Sequence, residues 1–340
     1  MTATDLTPVT ILTGFLGSGK TTLLNRLVRH PAAGDCAVIV NEFGPVAIDH
    51  ALVRTASENV VLLPSGCVCC QVAGDLVQAL RDLHFRRAAG EVPAFRRAIV
   101  ETTGMADPAP LAKTLIELPL VAARYALSGI VTTVDGVHGM DELDRHPEAA
   151  KQAAVADRLV VTKADLAPAT TLAALEARLA RINPGAPVLR SAHGDADPER
   201  LLDTGLFRGG GRLGDAGSWL NAGAYRHAGA PRPGAHDPRI AAFAWYADAP
   251  VEWAALEDAL ATLLEMAGER ILRVKGLANV AGEPGPVALP AVQHALSPPA
   301  RLPAWPDADR RTRLVFIVQD LEEAFVAQTL DSFVASPAPR

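Results

Sequence analysis

The run Gly14-Phe15-Leu16-Gly17-Ser18-Gly19-Lys20-Thr21 meets every fixed position of G-x-x-x-x-G-K-[ST]. In that pattern backbone N–H groups surround phosphates, the lysine reaches the β/γ oxygens and the hydroxyl holds Mg(II). Gly14, Gly17, Ser18, Gly19, Lys20, Thr21 and Thr22 are therefore candidate phosphate-binding residues, with Lys20 also a catalytic candidate and Thr21 a Mg(II) ligand. A second chemical group follows in Gly66-Cys67-Val68-Cys69-Cys70, which crowds three of the chain's four cysteines into four positions. Thiolates favour Zn(II) and Cu(I), and a carboxylate added to them shifts preference towards Zn(II) or Co(II). The C-x-x-C spacing of Cys67 and Cys70 leaves a redox pair as the alternative. Cys36 stands apart at the head of an apolar run and reads as core.

Strands and helices must position these groups. Val9 to Leu12 reads as a buried strand before the glycine loop, and Thr22 to Val28 as an amphipathic helix after it. Further short apolar runs, Cys36 to Val40, Val60 to Leu63, Ala98 to Val100, Gly129 to Val134 and Arg158 to Val161, alternate with segments of helical period. Such alternation predicts an α/β fold, a mostly parallel sheet covered by helices on both faces, with ligands at the carboxyl ends of its strands. Residues 1–204 are assigned to this domain. Residues 205–237, broken by glycine and proline, read as a flexible linker, and residues 238–337 as a smaller α+β domain whose Trp and Phe residues form a core stripe.

Composition narrows the function. With 340 residues and a formal charge of −6, the chain lacks the basic footprint of a nucleic-acid binder. Arg310, Arg311 and Arg313 form the nearest basic cluster and read as a solvated edge. Met1 to Asp5 show no leader pattern, and no run approaches the ~20 apolar residues of a membrane span. A soluble cytoplasmic protein with neither nucleic-acid nor membrane partner is expected, and clustered thiols suit its reducing compartment.

The base-reading element has to lie beyond the phosphate loop. Thr162-Lys163-Ala164-Asp165 follows an apolar strand and resembles the asparagine-lysine-x-aspartate signature of GTPases, with threonine replacing asparagine. Its lysine is expected over the base, and its aspartate accepts two N–H bonds from a guanine edge, a donor pair adenine lacks. Ser191-Ala192-His193 resembles the further loop that supports the base. Glu101-Thr102-Thr103-Gly104 stands where a Walker-B strand end and switch loop are expected, Glu101 orienting Mg(II) through water and Gly104 presenting an N–H to the γ-phosphate. Asp49, in a stretch with the place of switch I, is the remaining Mg(II) or catalytic carboxylate. No glutamine or arginine finger is evident, so slow intrinsic hydrolysis, accelerated by a partner or metal, is expected.

Taken together, GFLGSGKTTLL at 14–24, NEFGPVAIDH at 41–50, GCVCC at 66–70, ETTGMADPAP at 101–110, TKAD at 162–165, LRVKG at 272–276 and AWPDADRRTRLVFI at 304–317 resemble the CobW-like metal-handling GTPases. The resemblance implies GTP and Mg(II) as cofactors, Zn(II) as cargo with Co(II) open, and a client metalloprotein as partner. It also implies Glu42, Cys69 and Cys70 as metal ligands, with Cys67 part of the motif and open as a fourth. Many relatives carry a histidine-rich stretch; here His227 and His236 are sparse, and His50 beside Asp49 reads equally as a surface residue. Glu42 lies seven positions before Asp49, so one switch segment joins a metal ligand to a nucleotide-sensing carboxylate. Three functions stay in view: a GTPase metallochaperone, a redox or metal sensor whose nucleotide state sets partner binding, and a small-molecule kinase, against which the TKAD loop counts. The client and the oligomeric state are not legible.

Overall fold

The computed structural model of the chain describes residues 6–30, 35–40, 60–62, 69–202, 207–208, 212–213, 216–225 and 239–334. Glu42, Asp49, His50, Cys67, His227 and His236 lie outside the described residues, and of Cys69 and Cys70 only the backbone is described. The chain forms two compact units, one made of residues 1–180 and 186–214, the other of 181–185 and 215–340.

In the first unit, the strands are β1 (Thr7–Gly14), β2 (Cys36–Val40), β3 (Val60–Leu62), β4 (Arg97–Glu101), β5 (Tyr125–Asp135), β6 (Arg158–Thr162) and β7 (Val188–Arg190). Among the described residues they make one sheet in the order β3-β2-β4-β1-β5-β6-β7, each neighbouring pair parallel. The helices α1 (Lys20–Arg29), α2 (Cys69–Ala88), α3 (Ala109–Glu117), α4 (Pro119–Ala122), α5 (Gly139–Arg145), α6 (Pro147–Val155), α7 (Ala169–Ile182) and α8 (Pro198–Leu202) accompany them. Leu12, Val38, Val40, Ile99, Val131 and Val160 pack with Leu23, Leu24 and Leu27 of α1 and with Leu201 and Leu202 of α8. The intervening Ile11, Ile39, Val100, Ile130 and Val161 are buried too. Successive strand residues face opposite sides, so both faces of the sheet are covered, which is why these strands read as unbroken apolar runs.

From the sequence, the helix after the cysteine motif is expected to begin near Gly74, and α2 corrects this. Gly74 looks like a helix start, yet the helix begins at Cys69. A glycine inside a helix costs only about 1 kcal/mol against alanine, and the burial of Leu76, Leu80 and Leu83 at helical spacing outweighs it.

The second unit holds an antiparallel sheet of β10 (Ile240–Ala247), β11 (Ile271–Ala278), β12 (Val287–Val292), β13 (Ala295–Leu296), β14 (Ala300–Arg301) and β15 (Thr312–Gln319), in the order β10-β15-β11-β12-β13 with β14 against β12. Helices α11 (Trp253–Ala267) and α12 (Glu323–Val334) share its apolar core with Phe243, Trp245 and Phe316. The Trp245 indole N–H donates to Asp331 of α12 at 2.9 Å, so this tryptophan packs and ties rather than cages a ligand. Arg313 is buried and bonded to Asp307 at 2.8 Å, and Arg311 is held by Asp309 at 2.9 and 3.0 Å, so two of the three arginines are ion-paired and one of them is buried, while Arg310 is exposed as a solvated edge residue should be.

Within 205–237 the described residues carry secondary structure. Phe207–Arg208 and Arg212–Leu213 pair as a two-stranded ribbon (β8 and β9), and Ala216–Leu220 and Ala222–Tyr225 form short helices (α9 and α10). Trp219, Leu220 and Tyr225 are buried, and Lys275 donates to the Trp219 carbonyl at 3.4 Å. Three large side chains spaced between glycines are enough to anchor these turns, which a count of breakers overlooks.

Candidate nucleotide site

The sheet order places the candidate residues. β4 and β5 flank β1, with Leu12 opposite Glu101 and Gly14 opposite Thr133. β6 lies beside β5 with Asp135 opposite Thr162, and β7 lies beside β6. The carboxyl ends of β4, β1, β5, β6 and β7 therefore present Glu101, the phosphate loop, Asp135, the Thr162-to-Asp165 loop and Ser191 in one row, the edge where open α/β sheets take ligands.

The phosphate loop is shaped by its glycines. Gly14 has φ 142°, and a Cβ there would fall on Thr133 and Ser18. Gly19, at φ 87°, caps α1 in the left-handed region with no side-chain hydrogen bond to the helix end. No acidic residue sits in the first turn of α1, so its N–H groups and positive end are kept for an anion. Lys20, 8% exposed, donates to the carbonyls of Gly14 at 2.9 Å and Phe15 at 3.0 Å. The Phe15 ring stacks on His146 at 4.4 Å between centroids, pinning the loop to the junction of α5 and α6.

Two carboxylates end the strands beside this loop. The Thr21 hydroxyl donates to buried Glu101 at 2.6 Å, uniting the Mg(II) candidates of loop and Walker-B strand. The pair offers a hydroxyl and a carboxylate, an all-oxygen donor set that suits Mg(II). Asp135 takes the Lys163 ammonium at 2.6 Å and the N–H groups of Val137 and His138 at 2.8 and 3.1 Å. Burial pushes its carboxyl upward, but these bonds and the Lys163 charge together hold it below its ordinary value.

At the base-reading end, the Thr162 hydroxyl donates to the Ser18 carbonyl at 2.7 Å, tying this loop to the phosphate loop. Lys163, expected over a base, is engaged with Asp135. Asp165 lies 3.4 Å from the exposed His193 ring. Ser191 N–H donates to Val161 at 2.8 Å and its carbonyl accepts from Ala164 at 3.2 Å, while its buried hydroxyl has no hydrogen-bond partner among the described residues. Cys36 is buried, and desolvation pushes its thiol up to about 11, as befits a core residue.

Sequence reading missed Asp135, Glu142 and Gln152. The signal for Asp135 was the one used for Glu101, an acid closing an apolar strand. Burial, followed by the negative charge of Asp135, raises Glu142 from 4.5 to about 7, against the opposing charges of His138, Lys163 and Lys20. An acid whose folded value is raised stabilises the fold below its unfolded value and loses that contribution as pH rises through the folded one. Glu142→Gln is therefore expected to leave the melting temperature unchanged below pH 4.5 and to raise it relative to the parent above about pH 7, checked by thermal unfolding across that range.

Known proteins align with this arrangement along nearly the whole chain. The CobW/HypB/UreG nucleotide-binding domain matches residues 8–190, and the cobalamin synthesis protein cobW C-terminal domain matches residues 240–334. The chain belongs to the CobW/HypB/UreG family. It is a P-loop GTPase of that family with a CobW-type C-terminal domain. It is 33% identical to the zinc chaperone YjiA of Escherichia coli over 93% of this chain and 95% of that protein. Similarity to the zinc chaperone CobW of Pseudomonas aeruginosa is 30%, over 96% and 92% of the two chains. Among solved structures, a Zn(II)-bound triple mutant of the YjiA GTPase, with one glutamate and two cysteines replaced by alanine, superposes with a TM-score of 0.72 at 29% identity, covering 97% of this CobW-family chain and 99% of that one. Among the described residues no helix is long and apolar enough to cross a membrane, and no three His, Cys, Asp or Glu side chains gather as a metal site.

Proposed function

We propose that this CobW-family GTPase is a metallochaperone that takes up Zn(II) at its C-x-C-C motif and hands it to a client metalloprotein at the expense of GTP. The observation that carries the reading is the start of α2 at Cys69: Cys69 and Cys70 occupy the first turn of a helix in the same domain as the phosphate loop. A helix N-terminus favours the thiolate, which is the metal-binding form. Glu42 supplies the harder oxygen ligand, Cys67 belongs to the same motif, and Co(II) is the second cargo this donor set suits. Relatives named zinc chaperones support zinc as the first choice.

In the nucleotide site, Gly14, Gly17, Ser18, Gly19, Lys20, Thr21 and Thr22 hold phosphates, Thr21, Glu101 and Asp49 serve Mg(II), and Gly104 reaches towards the γ-phosphate. Thr162, Lys163, Asp165 and Ser191 take the guanine. Because Glu42 and Asp49 share one segment, nucleotide and metal are coupled, and hydrolysis changes the hold on the cargo. A client in a reducing, cytoplasmic setting accords with thiolate ligands.

Titration of the reduced protein with Zn(II), repeated for Cys69→Ser and Glu42→Gln, tests the site. Even outer-shell changes cost about 10–100-fold in metal affinity, so loss of a ligand is expected to cost about a hundredfold or more in each variant. Undiminished zinc affinity in both places the cargo elsewhere.

A further inference from the structure

Between β4 and α3 the chain runs through Thr102 to Pro108, and this loop is fastened at both ends. Thr102 N–H donates to Leu12 at 2.9 Å and its hydroxyl to Thr13 at 2.8 Å, while the Asp107 carboxylate accepts from Ala109 N–H at 2.9 Å and pairs with Lys151 of α6 at 2.9 Å. Among the described residues, one side chain reaches the middle with hydrogen bonds. The carboxamide nitrogen of Gln152, also on α6, donates to the carbonyls of Gly104 at 3.2 Å and Ala106 at 2.9 Å. Gln152 is 1% exposed, and α6 is in turn fixed to the sheet by the Thr132 hydroxyl, which donates to the Gln152 carbonyl at 2.8 Å.

Two features point beyond structural support. The Gln152 carboxamide oxygen is buried with no hydrogen-bond partner among the described residues. Burying such an orphan acceptor is unfavourable, and an apolar residue of the same shape carries no such penalty. Gly104 also packs directly on the phosphate loop: a Cβ on it would meet Leu16 at 2.6 to 2.8 Å. The carbonyl that Gln152 holds thus belongs to the glycine pressed against the loop expected to receive the phosphates. Fixing the planar peptide that follows Gly104 limits how far Gly104 can turn, and its own N–H is the one expected at the γ-phosphate.

We infer that Gln152 is a positioning residue for GTP hydrolysis, a latch that sets the peptide orientation of the Gly104 loop, with its vacant oxygen taking a backbone N–H when the loop closes on the third phosphate. It touches neither phosphate nor Mg(II) and acts through Gly104. The inference rests on the reading above that Gly104 faces the γ-phosphate.

Gln152→Met keeps the length and removes donor and acceptor; Gln152→Glu keeps the shape and donates only when protonated. In the full chain, kcat for GTP hydrolysis is expected to fall about tenfold to a hundredfold in Gln152→Met, the scale of a misplaced reacting geometry. GDP affinity stays within about twofold, because GDP lacks the phosphate that the loop meets, and affinity for a non-hydrolysable GTP analogue falls with kcat. In Gln152→Glu the kcat falls more steeply with rising pH than in the parent, since ionisation replaces a donor by a carboxylate facing two carbonyls. A folded Gln152→Met with parental kcat overturns the latch, and so does an equal loss of GDP and GTP-analogue affinity; should that variant not fold, a parental pH profile in Gln152→Glu overturns it. Lys20→Ala, measured alongside, separates the two readings: full nucleotide affinity in Lys20→Ala rejects the phosphate site itself, whatever Gln152 does.

Discussion

Lys20→Ala lowers kcat for GTP hydrolysis by about 10²–10³-fold, the usual cost of removing one preorganised group that meets developing charge. Lys20 is 8% exposed and its ammonium donates to the carbonyls of Gly14 and Phe15 at 2.9 and 3.0 Å, so the charge is held against the phosphate loop in a site where water screens it poorly. Phosphate oxygens replace carbonyl partners when nucleotide arrives, and a formal negative charge is the better acceptor. Triphosphate affinity is expected to fall along with kcat, because the lysine is proposed to meet the β and γ oxygens before and during transfer. Single-turnover hydrolysis together with equilibrium titration of a fluorescent GTP analogue measures both; parental values in either reject the role.

The second large effect belongs to Asp165. Its carboxylate is expected to accept the N1–H and 2-amino N–H of guanine, and each such charge-assisted bond contributes about 1.5–3 kcal/mol. Asp165→Ala therefore weakens GDP binding by about 3–6 kcal/mol, roughly 10²–10⁴-fold. Inosine diphosphate, which lacks the 2-amino group, provides the control: the parent prefers GDP over it, and Asp165→Ala binds both alike. Competition titrations with the two nucleotides read this directly. An undiminished preference for GDP in Asp165→Ala assigns base reading to another residue. His193 stands 3.4 Å from Asp165, beside the expected base site.

Contiguous motifs were legible because the residues that act together stand together. The phosphate loop is a single strand-to-helix turn, and Glu101, Thr162, Asp165 and Ser191 each end or follow an apolar run whose carboxyl end lies on one edge of the sheet. Asp135 escaped notice because its importance depends on sheet order: β5 lies between β1 and β6, which puts its last residue between the phosphate loop and Lys163. Strands can be read from periodicity, but which strand lies beside which is decided by packing across the whole sheet. Gln152 was hidden for a related reason, as its partners lie 46 and 48 positions earlier and are backbone atoms of a loop. Glycine misled twice. Gly74 and the breakers of 205–237 look like ends of structure, yet burial of Leu76 and Leu80 in one case and of Trp219 and Tyr225 in the other outweighs their local cost. The metal-site reading on Glu42, Cys67, Cys69 and Cys70 still rests on donor chemistry and family resemblance.

Nucleotide and metal are proposed to act on each other through the segment that carries Glu42 and Asp49. Zinc affinity of the reduced protein, measured by competition with a chelator in the empty, GDP-bound and GTP-analogue-bound forms with Mg(II) present, tests it most directly. A difference of about tenfold between the GTP-analogue and GDP forms, about 1.4 kcal/mol, is the predicted result, matched by the same factor in the effect of zinc on nucleotide affinity. Identical zinc affinity in all three forms contradicts it.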